Sequence, residues 1–312
     1  MTNSVKNAAR KLALKTQKII ESNTGFKITY NKFKDDLNLY VQQYGEDSVK
    51  KRAFYNICAG GHGGFGGYFY HPFWTNIDVE APILLDGWER YNPEKDIMHD
   101  LLDKTPLPLE SDSAEIIQSQ YTIEHLDDEA AAYFFKEAYR SLKPGGVFKV
   151  VAPNSELDYN AYLNNDKTYY SWVDIQSSDR HHPVYGYKTR LNQASFEQVA
   201  LVHFAANAST IHSEDNPQQI QDEEFNHIMN TMKMEDALDY CSSRCSVEIQ
   251  RKYRSNHINW WNHDKLIKAL KTAGFSKVQI MAPGQSSARV LRNRKYFDNL
   301  WNFVALFVEA VK

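Results

Sequence analysis

The stretch spanning residues 53–80, AFYNICAGGHGGFGGYFYHPFWTNIDVE, constrains the fold of this chain more than any other. Its opening apolar run, 53–58, reads as a buried strand. The run breaks into a turn with glycine at 60, 61, 63, 64, 66 and 67, and a second strand comes next over 75–79 with Asp78 near its carboxyl end. A glycine turn lets a ligand press against backbone where a Cβ would clash. A carboxylate closing the next strand is placed to hold a ribose diol, because ligands of doubly wound sheets lie across the carboxyl ends of the strands. The pair suggests a nucleoside-containing ligand. Glycine-rich loops also occur as plain turns, so the assignment rests on the residues downstream of the turn.

Downstream the pattern alternates. Residues 96–102, DIMHDLL, read as a short strand ending in Asp100. Pro106 and Pro108 make an extended loop, and 114–119 is another buried strand. Residues 129–142 form a helix, with Ala132, Phe135, Ala138, Tyr139 and Leu142 recurring at helical spacing. It is expected to stop at Lys143-Pro144-Gly145-Gly146, and 147–152 is a strongly apolar strand. This alternation predicts an α/β chain with a parallel sheet covered by helices. From 154 to 256 the alternation ceases. That region is rich in Tyr, His, Asn, Gln and Asp, with helical patches at 193–206 and 223–241. A long insertion at the carboxyl end of a sheet strand is well placed to act as a lid or substrate-binding subdomain. Alternation resumes with an amphipathic helix over 264–273, ended by Gly274, then strands over 276–281 and 300–311. Ahead of the first strand, residues 1–50 read as a helical extension with basic, helix-prone 8–20 and a second helix over 32–44. The basic segment reads as a surface helix, with an organelle transit segment as the other reading.

Bulk properties narrow the class. At 312 residues, with 42% hydrophobic and 24% charged residues, this is the composition of a globular protein. A formal net charge of −3 gives no global attraction to nucleic acid or to an acidic membrane, and no apolar run reaches the length of a membrane span. Three cysteines argue against a disulfide framework and for a reducing compartment, so the expected location is cytoplasmic. Cys241 and Cys245 read as free thiols, and no resident metal is expected.

These segments together resemble a class I S-adenosylmethionine-dependent methyltransferase with a methyltransferase-11-type domain. YNICAGG resembles the first motif of that group, TNIDVE the second, and HDLLDKTPLP the segment after the third strand. AEIIQSQYTIEHL, the helix after it and RSLKPGGVFKVVAPN form the most specific match. NHDKLIKALKTAGFSKVQI resembles the last helix and sixth strand, with 303–311 as the seventh. The resemblance covers about 53–153 and 257–312. It implies a Rossmann-like doubly wound sheet of seven strands, mostly parallel with an antiparallel last strand. The implied domain division is an extension over 1–50, a cofactor domain made of 51–153 and 257–312, and an insertion over 154–256 bearing the acceptor lid. Two departures stand out: Asn56 takes the place of the usual acidic residue and Cys58 that of a glycine, while the span between the first two strands is short for a full crossover helix.

The resemblance also implies roles. Backbone around Ala59, Gly60 and Gly61 would face the methionine moiety, with Asn56 beside it. Asp78 would take the ribose hydroxyls, Asp100 and Leu101 would flank the adenine, and Gln120 and Tyr121 would border the sulfonium. His125 reads as a structural anchor with Glu124. On the acceptor side, Asp179-Arg180-His181-His182-Pro183 is the densest polar run. His181 and His182, with His257 before the last helix, are the candidate general bases; a solvated loop is the alternative. Tyr159, Tyr162, Trp172, Tyr185 and Tyr187 would line a stacking surface or simply pack the lid. Arg289, Arg292, Arg294 and Lys295 would meet an anionic group or stay solvated. The expected activity is in-line methyl transfer from S-adenosylmethionine, leaving S-adenosylhomocysteine, to a small-molecule or glycan-type acceptor rather than nucleic acid. A homo-oligomer is left open. The alternatives are a catalytically silent S-adenosylmethionine-binding partner protein and a nicotinamide-dependent oxidoreductase. The last is disfavoured because GGHGGFGG does not keep the G-x-G-x-x-G spacing.

Overall fold

The computed structural model describes residues 15–16, 37–58, 69, 71–79, 94–179, 182–298 and 301–312, with the side chain of His182 excepted. The chain divides into two units, Met1–Asp35 and Asp36–Lys312. Of the first, only Lys15 and Thr16 are described, and both are helical. The rest of the expected helix over 8–20 and the glycine turn over 60–67 lie outside the described residues.

Seven strands make one sheet: β1 (Phe54–Ile57), β2 (Thr75–Asp78), β3 (Ile97–Met98), β4 (Ala114–Gln120), β5 (Leu142–Pro153), β6 (Lys277–Ile280) and β7 (Ala305–Val311). Their order is β3-β2-β1-β4-β5-β7-β6. Strands β1 to β5 pair in parallel, and β7 runs antiparallel to both β5 and β6. The helices are α1 (Leu37–Lys50), α2 (Asp128–Ser141), α3 (Ser155–Leu163), α4 (Val173–Gln176), α5 (Phe196–Leu201), α6 (Asp222–Thr231), α7 (Met234–Ser242), α8 (Val247–Lys252) and α9 (His263–Thr272).

Both faces of the sheet are covered, which is why the strands read as continuous apolar runs rather than alternating ones. Ile116 and Ile117, neighbours on β4, enter different cores. Ile117 joins Ile57, Ile77, Phe148 and Val308 under α2 and α9, where Phe134, Phe135, Leu266 and Leu270 are buried. Helix α2 begins at Asp127, whose carboxylate accepts the Ala130 N–H at 2.7 Å, satisfying one of the unpaired donors of its first turn. Ile116 joins Phe54, Trp74, Val147, Leu291 and Phe297 on the opposite face, together with Tyr40 of α1. There the Trp74 indole N–H donates to the Tyr40 hydroxyl at 2.9 Å.

Element edges depart from expectation in three places. The strand expected over 96–102 ends at Met98. Asp100 turns its carboxylate onto the Leu102 N–H at 2.9 Å and starts a 3₁₀ turn, Leu101–Asp103. Strand β5 begins at Leu142, ahead of the Pro-Gly-Gly expected to separate it from the helix. Ala114 pairs with Leu142 and Ile116 with Val147, so residues 143–146 bulge out of the ladder. Gly145 has φ +80°, and a Cβ on Gly146 would stand 2.8 Å from the Lys143 carbonyl oxygen, so this bulge requires its glycines. The expected helix over 223–241 is two helices, α6 and α7, parted at Met232-Lys233 where the backbone is extended.

Residues of the 154–256 insertion build a core of their own. Tyr162, Leu201, Phe204, Phe225, Leu238 and Cys241 are buried together, with Trp260 from the returning chain. His212 is buried there; the Glu214 N–H donates to its Nδ1 at 3.2 Å and its Nε2 lies 3.0 Å from the Asn256 amide.

Buried charge generates two predictions. Lys149 and Asp298 pair at 2.6 Å with side-chain exposures of 0% and 1%. Asp298 also accepts the Gly284 N–H at 2.7 Å. Glu309, the register partner of Lys149 on β7, accepts the Ser287 N–H at 2.8 Å. Lys149→Ala strands the Asp298 carboxylate, and denaturant unfolding should show a loss of about 3–5 kcal/mol, with Lys149→Met/Asp298→Leu costing less than the single change. For His212, burial outweighs the attraction of Glu214 and holds the imidazole down to about 4 from 6.5. A group depressed in the fold stabilises above its unfolded value and loses that contribution as the pH falls towards its folded one. Stability should therefore drop between pH 6.5 and 4, and His212→Gln should flatten that slope by on the order of 1 kcal/mol in urea titrations at pH 7 and 5.

Candidate functional site

From the adjacent strands β1 and β4 the chain winds outward in opposite directions, to β2 and β3 on one side and to β5 on the other. Such a switch point opens a crevice at the carboxyl ends of the strands. Cys58 comes directly after β1 there with φ +59° and donates its N–H to the Ile77 carbonyl at 2.8 Å. The left-handed turn explains why a glycine is the usual residue at this place. Burial first, then the Asp78 carboxylate, with smaller effects of Glu124 and Asp100, pushes the Cys58 thiol up; a hydrogen bond to Thr122 opposes them. Cys58 itself and the residues felt by its thiol mark the ends of four strands, β1 to β4.

The cofactor-side candidates fall into three groups. Asp78 is half-buried at the end of β2 and accepts the Val79 N–H at 2.8 Å. Gln120 ends β4, buried, and Tyr121 turns the chain with φ +53° and donates its N–H to the Val151 carbonyl at 2.8 Å. Asn56 and Asp100 are more committed. The Asn56 amide lies in a buried ladder across three strands, accepting from Gln118 and donating to Asn76, both at 3.3 Å. Asp100 caps Leu102 with one oxygen and meets Arg251 at 2.9 Å and Arg254 at 3.0 Å with the other. It therefore fastens α8 beside the 3₁₀ turn, and Leu101 next to it is buried. Ala59, Gly60 and Gly61 lie outside the described residues.

Past β4 the chain forms the 3₁₀ turn Ile123–His125, and the segment returning from the insertion is stapled onto it. The Glu124 carbonyl accepts the Ile258 and Asn259 N–H groups at 2.8 and 3.1 Å. The Trp261 indole donates to the Ile123 carbonyl at 3.0 Å, and the Asn259 amide to the Leu126 carbonyl at 2.9 Å. This brings His257 against His125, ring centroids 4.9 Å apart, with His203 a further 5.6 Å from His257. His203 Nδ1 lies 2.5 Å from the Asp158 carboxylate, and the ring stacks on Trp172.

The electrostatics of this pocket are unusual. Glu124 is 2% exposed, and neither of its carboxylate oxygens has a well-formed hydrogen-bond partner. Burial raises its carboxyl to about 8, only partly offset by the backbone N–H groups of Glu124 itself and Thr122. Burial lowers His125 to about 4, its bond to the Asn256 carbonyl opposing. His257 is held well below 6.5 by burial and then by the His125 and His203 rings. An imidazole so reluctant to take a proton is a weak general base, but its lone pair remains available.

Of the acceptor-side candidates, the structure thus brings His257 to the sheet end. His181 and the side chain of His182 lie outside the described residues; nearby Asp179 is exposed and pairs with Arg190. Tyr162 packs on Phe196 and Phe225, and Tyr185 stacks on Tyr187, within the insertion. Arg289, Arg292, Arg294 and Lys295 are exposed, with Arg292 and Arg294 bonded to the Ser286 and Asp298 carbonyls. Asp158 and His203 give no signal in the sequence, because each is a single polar residue in a stretch without a motif. Glu124 reads there as an anchor; its burial without a donor is visible only in three dimensions.

Comparison with known proteins falls on the same part of the chain. Residues 61–150 match the Methyltransf_11 family, described as a methyltransferase domain. A probable S-adenosylmethionine-dependent methyltransferase of Mycolicibacterium smegmatis is 44% identical over 78 residues, which are 25% of this chain and 28% of that protein. The chain thus matches little more than a quarter of that relative. Among solved structures, an S-adenosylmethionine-dependent methyltransferase from Mesorhizobium loti aligns with 83% of this chain and 90% of its own at 14% identity and a TM-score of 0.35. A phosphoethanolamine N-methyltransferase of Haemonchus contortus, in complex with S-adenosylhomocysteine, aligns over 95% of this chain and 60% of its own at 14% identity, again with a TM-score of 0.35. The fold assignment rests on strand order and direction, independently of these alignments.

Proposed function

We propose that the chain carries a class I S-adenosylmethionine-dependent methyltransferase domain and transfers the methyl group of S-adenosylmethionine to a small-molecule or glycan-type acceptor held under the insertion. The observation that carries the reading is the Asp78 carboxylate beside the left-handed Cys58 turn, at the switch point of a β3-β2-β1-β4-β5-β7-β6 sheet. A carboxylate at the end of β2 is the acceptor that a ribose diol needs, so the residues present fit the cofactor.

When bound, S-adenosylmethionine supplies a methyl group on a sulfonium, open to in-line displacement, so the work left to the protein is alignment and exclusion of water. Asp78 accepts hydrogen bonds from the ribose. Leu101, buried beside Asp100, offers an apolar flank for the adenine. Gln120 and Tyr121 border the reacting end, where Tyr121 is kept a neutral phenol chiefly by burial and then by Glu124 and Asp298. The insertion, with Trp172 and His203 on its inner side, excludes water from the acceptor. His257 positions this lid: its Nδ1–H donates to the His203 carbonyl at 2.7 Å and its own carbonyl accepts the Ala206 N–H at 2.7 Å.

A nicotinamide-dependent oxidoreductase is disfavoured by β7, which inserts antiparallel between β5 and β6, unlike the 3-2-1-4-5-6 dinucleotide sheet. Acidic surface balance, with a net charge of −3, supports an acceptor other than nucleic acid. Among the described residues no helix is long and apolar enough to cross a membrane.

Isothermal titration with S-adenosylhomocysteine tests the cofactor. The wild type should bind, and Asp78→Ala should lose about 1.5–3 kcal/mol, the scale of a hydrogen bond to a charged group. Absence of binding by the wild type sinks the proposal. Binding without transfer of labelled methyl to any member of a hydroxyl, amine and thiol acceptor panel would point instead to a silent partner protein.

A further inference from the structure

Glu124, His125 and His257 present three electron-pair donors to one another with no hydrogen-bond donor of good geometry between them. His125 Nδ1 is 2.8 Å from the Asn256 carbonyl and His257 Nδ1 is 2.7 Å from the His203 carbonyl. A carbonyl accepts only, so in each neutral ring the proton sits on Nδ1 and the Nε2 lone pair points away. This is the arrangement by which a backbone carbonyl fixes the tautomer of a metal-binding histidine. One ring nitrogen from each histidine and one Glu124 oxygen all lie within 4.8 Å of one another.

A proton on Glu124 does not resolve this arrangement, because the nearest ring nitrogen, His125 Nε2, stands 4.0 Å from Oε1. That is beyond hydrogen-bond reach. A buried carboxylate that meets only the poorly aligned backbone N–H groups of Glu124 itself and Thr122 costs several kcal/mol unless something neutralises it. A cation does what the proton cannot: metal–donor bonds of about 2.0–2.2 Å at a tetrahedral centre place donors about 3.4 Å apart, so small side-chain movements close the set.

We infer that Glu124, His125 and His257 form a site for one divalent first-row transition ion, Zn²⁺ or a near relative, held by two imidazole Nε2 atoms and a carboxylate oxygen. Two imidazoles and one carboxylate suit zinc and its neighbours better than magnesium or calcium, which take oxygen ligands. Three protein ligands leave a coordination position open. It borders the end of β4 and the inner side of the insertion, where water or an oxygen of the acceptor completes the shell. The inference rests on the geometry of these three side chains and stands apart from methyl transfer.

The test uses the full chain, free of tags, stripped with chelator and dialysed against Zn²⁺ or Co²⁺. The wild type should retain about one equivalent by elemental analysis and show an intense visible Co²⁺ spectrum. His257→Ala, His125→Ala and the near-isosteric Glu124→Gln should each lose more than the 10–100-fold in affinity that an outer partner is worth, while His227→Ala, at an exposed position, should bind as wild type. Circular dichroism checks that each variant folds; should an alanine variant fail, Glu124→Gln decides. Uptake well below one equivalent, or equal uptake by all variants (an adventitious ion only), overturns the inference. S-adenosylhomocysteine titrated in parallel separates the outcomes: cofactor binding without ion uptake sinks this site alone.

Discussion

The hydrogen bonds between the turn after β4 and residues 256–261 hold the molecule's working parts in one place. Without them the insertion would be held to the sheet chiefly by its covalent ends and by the ion pairs of Asp100 with Arg251 and Arg254. With them, the Glu124 carbonyl, the Ile123 carbonyl and the Leu126 carbonyl each receive a donor from the returning chain. Trp261 adds apolar burial, its ring packed in the core under α2 and α9. Each bond is worth about 1 kcal/mol net, but the geometric effect is larger than the sum. Residues 125 and 257, more than a hundred positions apart, are brought ring to ring. The same staple sets the start of α9, whose first-turn Lys265 N–H is capped by Asn262 at 2.8 Å.

Buried charge is handled in two opposite ways on the two sides of the sheet. Lys149 and Asp298 are paired, and the remaining bonds of Asp298 and Glu309 go to the loop over 284–287. That is charge serving structure: it fastens the loop that leads into the exposed basic residues over 289–295. Glu124 is equally buried yet has neither a cation nor a well-placed donor. A fold that gives one buried carboxylate a cation and leaves another without one, at the carboxyl end of the sheet beside two imidazoles, treats them as different kinds of group.

The sheet is legible in the sequence because its strands are buried on both faces and so appear as short apolar runs such as 114–119, separated by breakers. Asp78 is legible because its place is set by the alternation itself. Element edges are not. The strand at 97–98 stops where the Asp100 side chain captures a backbone N–H, a local competition that an apolar pattern does not register. The β5 edge is hidden because Pro-Gly-Gly ordinarily ends a ladder, whereas here it bulges from one. The insertion yields least, since its core is assembled from single residues on short helices rather than from a periodic face. His203 and Asp158 belong to that class: each is an ordinary polar residue until the fold sets them 2.5 Å apart.

His257 shows how a residue's chemistry depends on what surrounds it. In sequence, a histidine before the last helix of this domain reads as a general base, because imidazole titrates near neutral pH. In the structure its Nδ1–H is spent on the His203 carbonyl, its ring is buried, and two further imidazoles stand against it. Burial first, then the two rings, lowers its affinity for a proton, and the bond to the His203 carbonyl opposes them only in part. None removes the Nε2 lone pair, and none disfavours a metal ion, which binds neutral imidazole. Desolvation that spoils a base thus leaves a ligand, and the nearby carboxyl, too buried to ionise readily by itself, becomes the natural counter-charge for whatever cation the rings accept.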